Sequence, residues 1–236
     1  MKKTSNDMIN DLITEYRDII TRSPLFASLS DKELIYALSL FSAKAVTYKK
    51  GEFLHTAGNK LQRFGLVLYG KIQVCSDDIE GNKMIMANVT AGDTFGESLC
   101  FLKINESPCY ISATENSCVL TLSPDDLYCA SPDKENIEMQ KRFTAMIATR
   151  TLQMNFRIQV LSKLTIREKL LCFFANLVRE NKGNTFSLSL SRNDMAAYIG
   201  ADRSAMSREL SKMKKEGLID YYKDTVRILK DKNTDG

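Results

Sequence analysis

The sequence predicts an α+β fold in which an N-terminal antiparallel β-roll is followed by one long helix and then by a small C-terminal module. Three observations carry this prediction. Seven of the eleven glycines fall between residues 51 and 96, among short apolar runs, which marks closely spaced turns between strands. From Asp133 to Lys163 there is neither glycine nor proline, so nothing interrupts a helix there. From Ser191 to Leu229, two short amphipathic segments separated by Gly200 are followed by two short apolar runs.

The elements follow in order. Residues 7–42 read as helical with a break beginning at Pro24, and Ser30-Asp31-Lys32-Glu33 forms a capping box ahead of Leu34, Ile35 and Leu38. Strands are predicted at Phe64–Tyr69, Ile72–Cys75, Met84–Val89 and Cys118–Leu122, with turns at Gly51, Gly58, Gly65, Gly70, Gly81 and Gly92. After Pro132 the turn signals stop. Phe143, Ile147, Met154, Ile158 and Leu161 then recur at near-heptad spacing, a stripe that packs either on its own domain or on a second copy of itself. A helix of this length between two domains favours the second choice, a homodimer. A further helix carries Leu170, Phe173, Phe174 and Leu177 on one face and ends near Asn181 and Gly183, and Phe186–Leu190 reads as a short strand.

Composition narrows the function. With 236 residues, 44% hydrophobic and 26% charged, the chain suits one large or two modest domains. Met1–Tyr16 mixes Lys2, Lys3, Asp7, Asp11 and Glu15 with its apolar residues, so no signal-peptide core or membrane span is expected and a cytoplasmic location is. Up to residue 135 there are 14 Lys and Arg against 18 Asp and Glu, and beyond it 19 against 11. A basic C-terminal part suits a polyanionic partner, although a solvated basic surface would give the same count. Cys75, Cys100, Cys109, Cys118, Cys129 and Cys172 show no C-x-x-C pair and no zinc or iron–sulfur spacing, so no metal is expected and most are read as buried small residues. His55 is the single histidine, which argues against an enzyme built on His-based acid/base or metal chemistry. Haem ligation by His55 or a cysteine is the alternative role for these residues.

The C-terminal segment reads as a winged helix-turn-helix. Ser191-Arg192-Asn193-Asp194 is a capping sequence opening a helix over 193–199, Gly200 supplies a left-handed turn, and Asp202 caps the next helix. There Met206, Leu210 and Met213 share one face, and Arg203, Ser204, Ser207, Arg208 and Lys212 lie on the other, the arrangement with which a recognition helix enters the major groove. Leu218–Tyr222 and Thr225–Leu229, flanking Lys223-Asp224, read as the wing. Arg208 can donate bidentately to guanine, whereas Arg192, Lys212 and Lys214 suit phosphates. The alternative is a generic three-helix module with a solvated helix.

In Gly92-Asp93-Thr94-Phe95-Gly96-Glu97, the roll glycines, the long helix, Leu190–Asp194 and Asp202–Arg208, the chain resembles the Crp/Fnr superfamily of bacterial transcription regulators over nearly its whole length. The resemblance implies a cyclic-nucleotide-binding-like jelly roll, a long dimerisation helix, and a dimer that binds a palindromic site in double-stranded promoter DNA. It also implies contact with RNA polymerase and a DNA affinity set by an effector at the roll. Arg208 corresponds to the family arginine that reads guanine and Ser207 to the serine before it in the Fnr-like branch. Ser204 stands where a glutamate accepting from cytosine is common, so a different half-site is expected at that base pair.

The effector pocket is expected at Gly96, Glu97, Ser98, Ser107 and Cys109. Cyclic-nucleotide binders of this fold carry an Arg-Ser or Arg-Thr pair that grips the cyclic phosphate; the stretch here is Glu106-Ser107-Pro108-Cys109, and no arginine lies between Arg63 and Arg142. Lys103 would act only as a point charge, so tight cyclic AMP binding is not expected, and the signal at the roll, a small molecule or a redox change, is unassigned. The expected division is a β-roll sensor domain with its N-terminal helices over 1–135, a dimerisation helix over 136–164 and a winged helix-turn-helix DNA-binding domain over 165–236. The competing reading is a cupin-like or cyclic-nucleotide-binding-like interaction module that does not bind DNA.

Overall fold

A computed structural model describes residues 5–81, 83–129, 133–188, 190–222 and 225–229. Helices α1 (Ser5–Ile20) and α2 (Asp31–Leu40) precede the strands β1 (Lys44–Tyr48), β2 (Phe53–His55), β3 (Phe64–Tyr69), β4 (Lys71–Asp77), β5 (Lys83–Thr90) and β6 (Thr94–Phe95). The short α3 (Glu97–Phe101), β7 (Tyr110–Ala113), β8 (Ser117–Leu122) and α4 (Asp125–Cys129) complete the roll. Then come α5 (Lys134–Leu161), α6 (Ile166–Asn181), β9 (Thr185–Ser187), α7 (Arg192–Ile199), α8 (Arg203–Lys215), β10 (Ile219–Tyr222) and β11 (Thr225–Ile228). Among the described residues no helix is long and apolar enough to cross a membrane.

The first eight strands form two antiparallel four-stranded sheets, ordered β1-β8-β3-β6 and β2-β7-β4-β5. This is the predicted roll. In the first sheet β3 and β8 are central, and five of the six residues of each are buried; such continuous burial identifies strands covered on both faces. Edge strand β5 is exposed at every position but Val89. Gly65 of β3 is set by a close approach, since a Cβ there would lie 2.2 Å from Cζ of Phe95 and 2.8 Å from Cγ1 of Val119.

The compact units are Met1–Ala148 and Thr149–Gly236, and they part within α5. The helix read above as a separate 136–164 piece therefore contributes to both. In the first unit Met139, Phe143 and Met146 of α5 are buried in the roll's core with α1 and α2 residues. Phe143 packs against Phe41 (6.2 Å between centroids), Phe64 (5.7 Å) and Phe101 (5.7 Å), while Phe41 and Phe64 meet edge to face at 5.8 Å. Polar contacts fix the same part of the helix. Nη1 of Arg142 donates to the carbonyl of Ala27 (2.8 Å), Gln140 to that of Leu127 (2.9 Å), and the Tyr36 hydroxyl to Asp133 (2.9 Å). The near-heptad stripe thus serves two environments. Phe143 is a core residue and Ile147 packs against that core, whereas Met154, Ile158 and Leu161 are exposed within the single chain.

In the second unit, residues of α6, α7, α8 and the sheet β10-β11-β9 enclose a core around Phe174, Met195, Met206, Leu210 and Ile219. The predicted helix starts are in place. Ser30 with Glu33 forms a reciprocal capping box, and the Ser191 side chain accepts from the amide of Asp194; Thr165 with Glu168 adds a second box, at the start of α6, that was not expected. Two details differ from the sequence reading. The left-handed residue closing α6 is Lys182 (φ 51°), one position before Gly183. The strand predicted over Phe186–Leu190 is formed at Thr185–Ser187, which pairs with Thr225, Val226 and Arg227 of β11. The Lys223-Asp224 turn of the wing, Pro132 and the Cys129 side chain lie outside the described residues.

Truncating Phe143 removes the ring on which Phe41, Phe64 and Phe101 converge. Phe143→Ala is expected to destabilise the first unit by about 3–5 kcal/mol, read as a lowered midpoint in denaturant unfolding followed by tyrosine fluorescence. A loss below about 1 kcal/mol would mean that this ring does not seat the helix.

Candidate nucleic-acid interface and effector pocket

The basic helix α8 is assembled by its own chemistry. Asp202 caps it, accepting from the amide of Ala205 (2.9 Å) and from the Ser204 hydroxyl (2.6 Å). These hydrogen bonds, the one from Ser204 foremost, hold the Asp202 carboxyl below the usual carboxylate range. Gly200 takes the left-handed conformation that closes α7 (φ 60°). Met206, Leu210 and Met213 are buried, and Arg203, Ser204, Ser207, Arg208 and Lys212 are all exposed. At the far end, Arg167 of α6 locks the helix: its Nε donates to Glu209 (2.6 Å), and its Nη1 and Nη2 donate to Glu216 (2.7 and 3.0 Å). A forked guanidinium between two carboxylates fixes orientation as well as charge.

The predicted site residues separate into two groups. Ser207, Arg208 and Lys212 line one open depression with Ser211 and Lys215. Arg203 and Ser204 sit at the start of the same helix, with the Ser204 proton committed to Asp202. Arg192 is placed elsewhere. It is half-buried, with its guanidinium 5.1 Å from the centroid of the Tyr221 ring in the wing. Lys214 reaches the same ring at 4.8 Å, pairs with Asp220 (2.7 Å) and donates to the carbonyl of Tyr221 (3.0 Å). These two cations hold the wing against the helices. Ser211 and Lys215 were missed from sequence, although they lie three and seven residues beyond Arg208 and helical spacing alone aligns them.

In the roll, Gly96 is left-handed (φ 79°) and caps α3, and a Cβ on it would meet Cδ2 of Leu61 at 2.5 Å. Glu97 is buried, Ser98 is exposed, and Cys109 is half-buried. Ser107, at the position where the resemblance implies an arginine, is buried, and its hydroxyl is spent locally: it donates to the carbonyl of Cys109 (3.0 Å) and accepts from that residue's amide (3.1 Å). The turn Glu106-Ser107-Pro108-Cys109 itself carries no cation for a cyclic phosphate, so these residues do not fit that group. A cavity of about 250 Å³ inside the roll has a different wall, which includes Tyr48, His55, Arg63, Phe64, Phe95 and Val119. Cys75, Cys100 and Cys118 are buried, as the sequence reading held for most cysteines. Burial, with Glu97 nearby, pushes the Cys100 thiol up to about 12, and burial also raises Cys109 and Cys118. That is the opposite of an activated thiolate.

Comparison with known proteins gives two domain matches in this order. Residues 45–129 match the cyclic nucleotide-binding domain family and residues 168–232 match the Crp-like helix-turn-helix domain family. The chain belongs to the Crp/Fnr superfamily. It is 26% identical over 206 residues to the cyclic AMP receptor protein of Thermus thermophilus, covering 87% of this chain and 92% of that one. It is 23% identical over 199 residues to the global nitrogen regulator of a Nostoc species, covering 82% and 89%. The crystal structure of the Thermus thermophilus catabolite activator protein superposes with a TM-score of 0.50 at 24% identity, over 87% of this chain and 93% of that chain, a likeness of fold. This Crp/Fnr chain is thus a transcription regulator by family, with a jelly-roll domain, the long helix α5 and a DNA-binding helix-turn-helix.

Arg208 and Lys212 make separable expectations. Arg208→Ala is expected to cost about 1–3 kcal/mol of specific DNA affinity while leaving non-specific binding nearly unchanged, whereas Lys212→Ala should weaken all sequences alike and reduce the salt slope by about one. Fluorescence anisotropy against selected and scrambled duplexes over a salt series checks both. Equal weakening by Arg208→Ala on every sequence would reassign it to phosphate contact.

Proposed function

We propose that this regulator acts in the cytoplasm as a homodimer, reads a palindromic promoter site with α8, contacts RNA polymerase, and changes its DNA affinity when a small molecule occupies the roll. It is read as a regulator and not an enzyme. The observation that carries the reading is the solvent face of α8, where Ser207, Arg208, Ser211, Lys212 and Lys215 form one polar, cationic depression beside exposed Arg203 and Ser204. Arginine in such a face donates two hydrogen bonds to guanine, and the lysines neutralise phosphates. Arg203, Ser204, Ser207, Arg208 and Lys212 are the proposed DNA contacts. Arg192 acts on the interface through its stacking on Tyr221. Selection from a randomised DNA pool tests the reading: a palindrome bound in a salt-sensitive manner supports it, and the absence of any selected sequence would sink it.

Dimerisation is supported by the exposed part of the α5 stripe. Met154, Ile158 and Leu161 follow one another at four- and three-residue spacing and are 66%, 60% and 41% exposed in the single chain. Apolar side chains at that spacing make a coiled-coil seam. Ile158→Asp would place a charge in it. The substitution is expected to weaken the dimer by about ten- to a hundredfold in analytical ultracentrifugation, with an unchanged far-ultraviolet spectrum. A variant that stays dimeric at the same concentration would move the interface off this stripe.

The Thermus relative is a cyclic AMP receptor protein, and the same effector is not proposed for this chain. Ser107 replaces the phosphate-gripping arginine and has its hydroxyl engaged by Cys109. Titration calorimetry with cyclic AMP is expected to give no saturating heat at micromolar concentrations. A clear isotherm would overturn this assignment.

A further inference from the structure

The cavity inside the roll combines two features that a purely structural core would not leave. His55 is only 9% exposed, lies in its wall, and its Nε2 is buried without a hydrogen-bond partner. A buried polar atom left in this way is destabilising unless something else completes it. Arg63 lies in the same wall, half-buried. Its Nε donates to Oγ1 of Thr121 (3.2 Å), and its Nη2 donates to the carbonyls of Thr121 (2.9 Å) and Ser42. All of these acceptors are neutral. No salt bridge to Arg63 is found among the described residues, and Asp125 acts on it only through the longer-range field. The guanidinium is therefore oriented by its hydrogen bonds while its charge is left uncompensated in a partly desolvated place.

Phe64, Phe95, Ile111 and Val119 give the wall an apolar part, Lys60, Gln62 and Thr121 add polar groups beside His55 and Arg63, and the volume is about 250 Å³. That is below the ~300–1,000 Å³ of pockets for drug-sized ligands, so the space suits a molecule smaller than a nucleotide. We infer that this cavity binds a small organic carboxylate, its anionic end between Arg63 and Nε2 of His55 and its apolar body against Phe64, Phe95 and Val119. The carboxylate supplies the charge that Arg63 lacks and an acceptor for an imidazole N–H, and the rings exclude water from both. An inorganic oxyanion would satisfy Arg63 but would leave the apolar wall unfilled. The regulatory consequence of binding rests on the function proposed above; the binding itself does not.

The test is titration calorimetry of the full-length protein with benzoate, with inorganic phosphate as the second arm. Benzoate is expected to saturate one site per chain and phosphate to give no comparable heat. Arg63→Gln and His55→Phe are each expected to weaken benzoate by about tenfold or more while melting close to the parent. Should Arg63→Gln fail to fold, Arg63→Lys keeps the charge without the fork and is expected to weaken binding as well. No benzoate heat in the parent protein would overturn the inference, as would unchanged affinity in the folded variants. Equal binding of phosphate would overturn the carboxylate assignment. Fluorescence anisotropy on a selected duplex with and without benzoate separates the two readings. Benzoate heat from a chain that selects no DNA supports the site and overturns the regulator function alone.

Discussion

The structure depends on the packing of α5 through Phe143. Twenty-eight residues without a helix breaker form one rod, and its first half is held by a cluster in which Phe41, Phe64 and Phe101 close on a single ring. The helix has little amphipathic bias over its whole length because it does not face one environment. It buries Met139, Phe143 and Met146 in the roll, leaves Met154 and Ile158 in solvent, and returns Val160 to the core of the C-terminal unit. A helix in a folded protein draws most of its stability from tertiary packing. The exposed middle of α5 is thus held by what its ends bury, and its apolar side chains Met154 and Ile158 stay uncovered within the single chain.

The C-terminal unit solves a different problem, which is to hold a strongly basic helix in a fixed orientation without burying its charge. Arg167 bridges Glu209 and Glu216 at one end of α8, Asp202 caps the other, and the apolar face fits under α6 and α7. Two further cations, half-buried Arg192 and exposed Lys214, lie against the Tyr221 ring. Cations on an aromatic face gain about 0.5–2 kcal/mol depending on desolvation. In this way the basic residues divide into those that position the wing and those left facing solvent. Net charge alone does not reveal that division.

Local chemistry was legible in the sequence and long-range chemistry was not. The starts of α2, α7 and α8 were readable because a cap involves residues two or three positions apart. Strands β3 and β8 were readable from their apolar runs, and the solvent face of α8 from helical spacing. By contrast, β2 and β7 carry too few residues to show a period, and Lys182 took the turn that glycine chemistry suggested for Gly183. The stacking of Arg192 on Tyr221 joins residues 29 positions apart, so that contact had no local signal. The pocket shows the same limit. Gly96 and Glu97 were singled out by resemblance, yet Gly96 is needed for a left-handed cap against Leu61, and Glu97 is buried. The cavity wall is drawn from β1, β2, β3, β6, β7 and β8, and only the closed sheets bring these together.

This wall also explains why a ligand inside the roll would matter beyond it. Phe64 follows Arg63 directly in the chain, lines the cavity, and packs on Phe143 at 5.7 Å. A ligand shifts a conformational equilibrium only by the difference in its affinity for the two states. Close-packed rings do not yield continuously, so a displaced Phe64 requires Phe143 to repack with it. Binding against Phe64 is therefore sensitive to how α5 is seated, and the seating of α5 is equally sensitive to binding, as linkage requires. The uncompensated charge of Arg63 attracts the ligand, but it is the shared aromatic ring that gives the ligand a difference to act on.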